Sequence, residues 1–283
     1  MKIIECPRDA MQGLEVFIPT DAKVRYLNQL MKVGFDTIDF GSFVSHKVIP
    51  QMRDTADVLH KLTIGESKTK LLAIVANTRG AYDACKYDAV SYLGYPLSLS
   101  ETFQQRNTNN TIGEALNVLE EIKNECTRCN KQLVTYISMG FGNPYDDPYH
   151  PELVLGFVDV LKTLGSDVIS IADTIGVSTA QTIETLFTLV TKQYPGLEIG
   201  AHLHSTPFDA TEKIQAAYKS GCKRFDGAIL GFGGCPMAKD ELVGNLATEK
   251  ILDYLQSEGV KPDINPIEFA KALQLAAEIF PNR

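Results

Sequence analysis

The string Ala201-His202-Leu203-His204-Ser205 closes an apolar run, 197–202, whose composition suits a β-strand. Side chains along a strand alternate between its faces, so His202 and His204 would point the same way, their Cα atoms about 6–7 Å apart. Two imidazoles at that spacing can hold one metal ion, and the chain has only five histidines in 283 residues. The plainer alternative is one packed histidine and one solvated one. Further ligands would have to come from other parts of the chain, so the order of elements decides which residues can reach this pair.

Short β-type runs recur at 3–6, 37–40, 70–76, 89–93, 132–138, 168–172, 198–202 and 224–227. Between most of them lie stretches with apolar residues at three- and four-residue spacing, at 21–33, 113–126, 152–164, 179–191 and 206–219. Pro19-Thr20-Asp21 and Ser178-Thr179 read as helix openings. Such alternation over about 230 residues predicts an α/β chain folded as a (β/α)8 TIM barrel, with helices from about residue 242 onward closing or extending it. An open doubly wound sheet is the alternative, but a G-x-G-x-x-G after the first run is absent. With no internal repeat, low-complexity tract or linker, residues 1–283 read as one domain.

Barrel chemistry gathers at the C-terminal ends of the strands. Arg8 and Asp9 follow the first run, Asp39 ends the second, and Glu101 lies beyond the fourth. Asp173 and Thr174 follow the sixth, His202 and His204 end the seventh, and the eighth runs into Gly231-Phe-Gly-Gly-Cys-Pro236. Each has a bland reading as a loop residue: Asp9 paired with Arg8, Asn245 as a helix cap, Cys235 as a structural thiol. Their common position at one mouth argues for a site.

Composition narrows the partners. A net charge of −8 argues against nucleic acid and anionic membrane. No apolar run approaches about 18 residues, and MKIIECPRDA does not read as a signal peptide. Six cysteines in so long a chain suit thiols in a reducing cytoplasm rather than a disulfide framework. Cys126 and Cys129 form a lone CxxC at a helix end, and Cys85 and Cys222 read as buried or half-buried small residues.

An ordered set of short motifs adds a family resemblance. Pro7-Arg8-Asp9, Ser42-Phe43-Val44-Ser45, Pro50-Gln51-Met52, Asp173-Thr174-Ile175-Gly176-Val177, His202-Leu203-His204, Gly233-Gly234-Cys235-Pro236 and Gly244-Asn245-Leu246-Ala247-Thr248-Glu249 follow one another in the chain. Together they resemble the 3-hydroxy-3-methylglutaryl-CoA lyase family of metal-dependent barrel lyases and synthases, across nearly the whole length. The resemblance implies that Asp9, His202, His204 and Asn245 ligate one divalent cation, and such a mixed N/O set suits Mg²⁺ or Mn²⁺. It further implies that Arg8 stabilises an enolate-like thioester oxygen and that Cys235 is a catalytic thiol on a glycine-rich loop. Asp39, standing where the lyases carry a glutamate, would share in proton transfer. Gln12, Thr174 and Glu101 would hold substrate oxygens or orient the ligands.

The reaction so implied is retro-aldol cleavage of an acyl-CoA, 3-hydroxy-3-methylglutaryl-CoA giving acetyl-CoA and acetoacetate. Ser205 follows the second histidine where the lyases have an acid, and the stretch from Cys235 to Asn245 is one residue longer, with Asp240 and Glu241. Those changes bear on which acyl-CoA is taken. Two competing readings stand beside this one: another aldolase or an acetyl-CoA/2-oxo acid condensing synthase of the same superfamily, and a non-catalytic acyl-CoA-binding protein. A homodimer is compatible with the chain.

Overall fold

The computed structural model describes residues 1–234 and 243–280. Strand β1 (Lys2–Glu5) leads into α1 (Pro7–Gln12) and α2 (Thr20–Val33), followed by β2 (Thr37–Ser42), α3 (Thr55–Lys61), β3 (Lys70–Ile74) and α4 (Thr78–Cys85). Next come β4 (Val90–Ser98), α5 (Glu101–Thr108), α6 (Ile112–Arg128), β5 (Gln132–Ser138), α7 (Pro151–Thr163), β6 (Val168–Asp173) and α8 (Ala180–Gln193). The chain continues through β7 (Glu198–Ser205), α9 (Ala210–Lys219), β8 (Arg224–Gly227), β9 (Gly244–Asn245), α10 (Thr248–Ser257) and α11 (Pro266–Ile279). Strands β1 to β8 pair in parallel with their sequence neighbours, and β8 pairs with β1, closing the expected (β/α)8 barrel.

Two apolar layers hold it. The larger lies between strands and helices and takes alternate residues such as Ile169 and Ile171 of β6 with Ile183, Leu186 and Phe187 of α8. The smaller fills one side of the barrel interior with Leu72, Ile74, Tyr92, Val134, Tyr136 and Val168. The other side of the interior is polar, with Ser170, Arg224 and Asp226 all buried. Gly200 makes room there: a Cβ would sit 3.0 Å from both Arg224 Cδ and Ser170 Oγ. The C-terminal helices join the outer ring as expected. Helix α11 docks on α2, where Gln29 Nε2 donates to Glu268 O and Oε2 at 2.9 and 2.8 Å.

Several limits differ from the sequence reading. Strand β4 extends to Ser98 because pairing to β3 and β5 overrides the weak local signal of Gly94 and Pro96. Both helix openings stand as read, with α2 starting at Thr20, whose hydroxyl donates to Asp54 Oδ2 at 2.8 Å, and Thr179 capping α8. A disulfide joins Cys85 to Cys129 across the C-terminal ends of α4 and α6, where six free thiols were expected. Adjacent packing of those two helices brings the sulfurs together, and Cys126 stays buried and free.

Glu5 closes the seam between the first and last strands. Its carboxyl accepts from Ile229 N–H at 2.8 Å and from Thr248 Oγ1 at 2.6 Å. Burial pushes it up to about 8 from an ordinary 4.5, against the pull of those two hydrogen bonds. Between these values the folded chain keeps a proton that the unfolded chain has released, so stability falls as pH rises through the window and is level above it. Glu5→Gln keeps the shape without the ionisation. Thermal melts should match wild type near pH ~4.5 and favour the variant by a few kcal/mol near pH ~8.5. A gap independent of pH would contradict this.

Candidate active site

The first two carriers of the site come from a helix, not the loop expected. Proline pre-set for the first helical position starts α1 at Pro7. The turn then places Arg8, Asp9 and Gln12 three and four residues apart, on one face. Gln12 bridges the two charges, accepting from Arg8 Nη1 at 2.7 Å and donating to Asp9 Oδ1 at 2.6 Å. On the far side, Arg8 forks onto Asp39, which lies within β2 rather than at its end, with Nη2 at 2.6 Å and Nε at 3.0 Å from Oδ2. All three charged side chains are buried.

Their surroundings set the charges. Burial alone would weaken the Arg8 cation, but Asp39 and Asp9 outweigh it and hold the guanidinium protonated more firmly than usual. Burial would likewise raise Asp9, yet Arg8, His202 and His204 bring it below the ordinary carboxylate range. For Asp39 burial prevails over Arg8, and the carboxyl is raised.

Strand β7 carries both histidines to the same mouth. The short β9 pairs antiparallel with it, setting Asn245 opposite His204. The helix-cap alternative for Asn245 therefore fails: it lies in a strand, and its Nδ2 donates to Asp9 Oδ2 at 2.5 Å and Phe232 O at 2.9 Å. Both amide protons are used, leaving the side-chain oxygen for a cation. Gly233, at φ +104°, permits this approach, since a Cβ would lie 2.5 Å from Asn245 Nδ2 and 2.9 Å from the Asp9 carbonyl. Asp9, His202 and His204 bring ligand atoms within 4.8 Å of one another, and Cys6, His202 and Asp226 do the same one layer below. The upper group, with Asn245 beside it, fits a hard or borderline divalent cation.

The two imidazoles differ. Burial would lower His202, but the hydrogen bond and charge of Asp226 and the charge of Asp9 raise it. Burial and the neighbouring His202 lower His204 to about 4, which keeps it neutral and ready to ligate.

The remaining expectations divide. Thr174 lines the mouth cavity and accepts from Met139 N–H at 2.8 Å. Glu101 is carried away from it: at the start of α5, its carboxylate accepts from Ile112 N–H at 3.1 Å at the head of α6. Cys235, Asp240 and Glu241 lie outside the described residues. Gln51, of the Pro50-Gln51-Met52 motif, proves to be a latch for the loop after α1, accepting from Ile18 N–H at 2.9 Å and donating to Val16 O at 2.9 Å. The cavity of about 150 Å³ has the charged cluster on one side. On the other is an apolar wall that includes Val44, Val48, Ile49, Ile74 and Phe103.

Sequence reasoning missed three supports. Asp226 holds His202 from below, and the Tyr136 ring packs edge-on against His202 at 5.5 Å. Lys213 of α9 reaches inward to Asp173 Oδ2 at 3.1 Å, Gly176 O at 3.2 Å and His204 O at 2.8 Å. The spacing of Lys213 within the apolar face of its helix was the available signal.

A parallel barrel whose C-terminal mouth gathers a clamped guanidinium, a carboxylate, two imidazoles and an amide defines a barrel enzyme with a candidate cation centre. The chain belongs to the HMGL-like family, whose family model matches residues 2–276. It is 32% identical over 258 residues to hydroxymethylglutaryl-CoA lyase YngG of Bacillus subtilis, covering 91% of this chain and 85% of that protein. The HMG-CoA lyase structure from Bacillus subtilis superposes with a TM-score of 0.92 at 31% identity, covering 100% of this chain and 95% of the other. That of Acinetobacter baumannii, in complex with coenzyme A and 3-methylmalate, gives 0.90 at 28% identity, over 99% and 91%. No helix among the described residues is long and apolar enough to cross a membrane.

Lys213 is the brace most open to test, because its ammonium and Asp173 are both buried. Lys213→Met should cost about 3–5 kcal/mol and lower the melting temperature by roughly 10 °C. A melt within a degree or so of wild type would show that the brace carries no load.

Proposed function

We propose that the protein cleaves 3-hydroxy-3-methylglutaryl-CoA to acetyl-CoA and acetoacetate. The observation that carries this reading is the Arg8 fork, fixed by Asp39 and Asp9 beside a three-ligand group, in a chain resembling hydroxymethylglutaryl-CoA lyases over nine-tenths of its length. Asp9, His202, His204 and Asn245 would hold Mg²⁺ or Mn²⁺. Such an ion supplies Lewis acidity that lowers the pKa of the substrate's tertiary hydroxyl.

The chain's own groups do the rest. The C3 hydroxyl gives its proton to a base at the mouth, for which Asp39 is our candidate. The C2–C3 bond then breaks as the C3 oxygen becomes the ketone of acetoacetate, and its electron pair passes to the acetyl-CoA enolate. Arg8 faces the negative oxygen that develops on the thioester, pre-oriented by its two carboxylates, so little reorganisation is needed. The enolate carbon takes a proton to give acetyl-CoA, and we assign that delivery to the Cys235 thiol. The apolar wall from Val44 to Ile74 receives the methyl-bearing part of the acyl chain and limits water around the enolate. The fit of a CoA ester is supported by the coenzyme A complex of the Acinetobacter relative.

Arg8→Lys retains the charge but loses the fork. It should lower kcat for cleavage by about 10²–10³-fold with a smaller change in KM, as expected for loss of a donor aimed at the transition state. Turnover within about threefold of wild type would remove Arg8 from the chemistry.

A further inference from the structure

The polar half of the barrel interior is more than filling. His202 sits between two layers: it shares the mouth with Asp9 and His204, while its Nδ1 lies 3.2 Å from Asp226 Oδ2. Asp226 is wholly buried at the end of β8, and Ser170 Oγ of β6 lies 3.2 Å from the same carboxylate oxygen. Behind it, the fully buried Arg224 places Nε 3.9 Å from Asp226 Oδ1 and Nη1 3.2 Å from Glu198 Oε1. The His202 ring meets Tyr136 edge-on at 5.5 Å and His204 at the same distance. The imidazole is thus fixed at its nitrogen and at its face.

We propose that Asp226 is a positioning residue for the cation centre: it accepts a hydrogen bond from His202 Nδ1–H, fixing the tautomer that turns Nε2 toward Asp9 and His204. Ser170 aims the carboxylate, and Arg224 offsets its buried charge. A carboxylate behind a ligating histidine makes the ligand more basic and limits its rotation. Cys6 also groups with His202 and Asp226, which would suit a soft metal. The Arg224 guanidinium already supplies the positive charge on that side of Asp226, so the carboxylate serves the imidazole instead. Gly200 belongs to the same device, since any side chain there would displace Arg224 and Ser170.

The inference rests on the cation centre named under the proposed function, and not on the substrate. Chelator-stripped wild type, Asp226→Asn and Ser170→Ala can be titrated with Mn²⁺ and the free ion followed by electron paramagnetic resonance. Asp226→Asn should weaken Mn²⁺ binding about 10–100-fold. Ser170→Ala, which removes one hydrogen bond and little else, should weaken it about 3–10-fold. In wild type, ¹⁵N-histidine spectra should show His202 protonated at Nδ1, a readout that needs no variant to fold. Wild-type Mn²⁺ affinity in both variants, or a His202 proton on Nε2, would overturn the proposal, whereas a purely structural Asp226 would shift the melt alone. Wild type that binds no Mn²⁺ would overturn the cation centre and this inference with it. Wild type that binds Mn²⁺ but does not cleave 3-hydroxy-3-methylglutaryl-CoA would overturn only the substrate reading.

Discussion

Two carboxylates and one guanidinium are buried together at the end of the first strand, and the rest of the mouth is built to make that tolerable. Unpaired charges there would be expensive, so Arg8 is forked onto Asp39 and tied through Gln12 to Asp9. Asp9 then faces both ways. One oxygen serves Arg8 and Gln12, and the other accepts from Asn245, beside the two histidines. Its charge is therefore shared between the group that would stabilise an enolate and the group that would hold a cation. Removing Arg8 would leave both carboxylates buried without their shared cation.

Assembly of that cluster depends on close backbone approaches. Gly233 lets the segment after β8 pass against Asp9, and the two-residue β9 then seats Asn245 opposite His204. Lys213 ties the β7 backbone at His204 to the loop after β6 through Asp173 and Gly176. Glu5 fastens β1 to the turn after β8 and to the head of α10. These braces stand around the rim, whereas the apolar interior cluster fills the opposite half of the barrel.

Much of this was legible in the residues. Alternating strand and helix periodicities specify the barrel, and two-residue alternation alone puts His202 and His204 on one face. Asn245 was reachable only through the family resemblance, because its partner lies 236 residues away at Asp9. Helix α1 was signalled by Pro7 but read as a loop, since six residues carry too little periodicity to register. Glu101 was misplaced for a physical reason: a residue just past a strand end can head the next helix and turn its side chain along the rim. Asp226 was invisible, since only the closure of the sheet between β7 and β8 tells which residue lies beneath His202. The pairing of Cys85 with Cys129 likewise depends on which helices pack side by side.

Carbon–carbon cleavage of a CoA ester is the activity proposed for this mouth. The most direct test is to incubate the full-length protein, loaded with Mg²⁺ or Mn²⁺ and again with chelator, with 3-hydroxy-3-methylglutaryl-CoA, and to quantify both products. The loaded protein should release acetyl-CoA and acetoacetate in equal amounts, and neither with chelator. Well-folded, metal-loaded protein that releases neither product, or that releases them equally well with chelator, would contradict it.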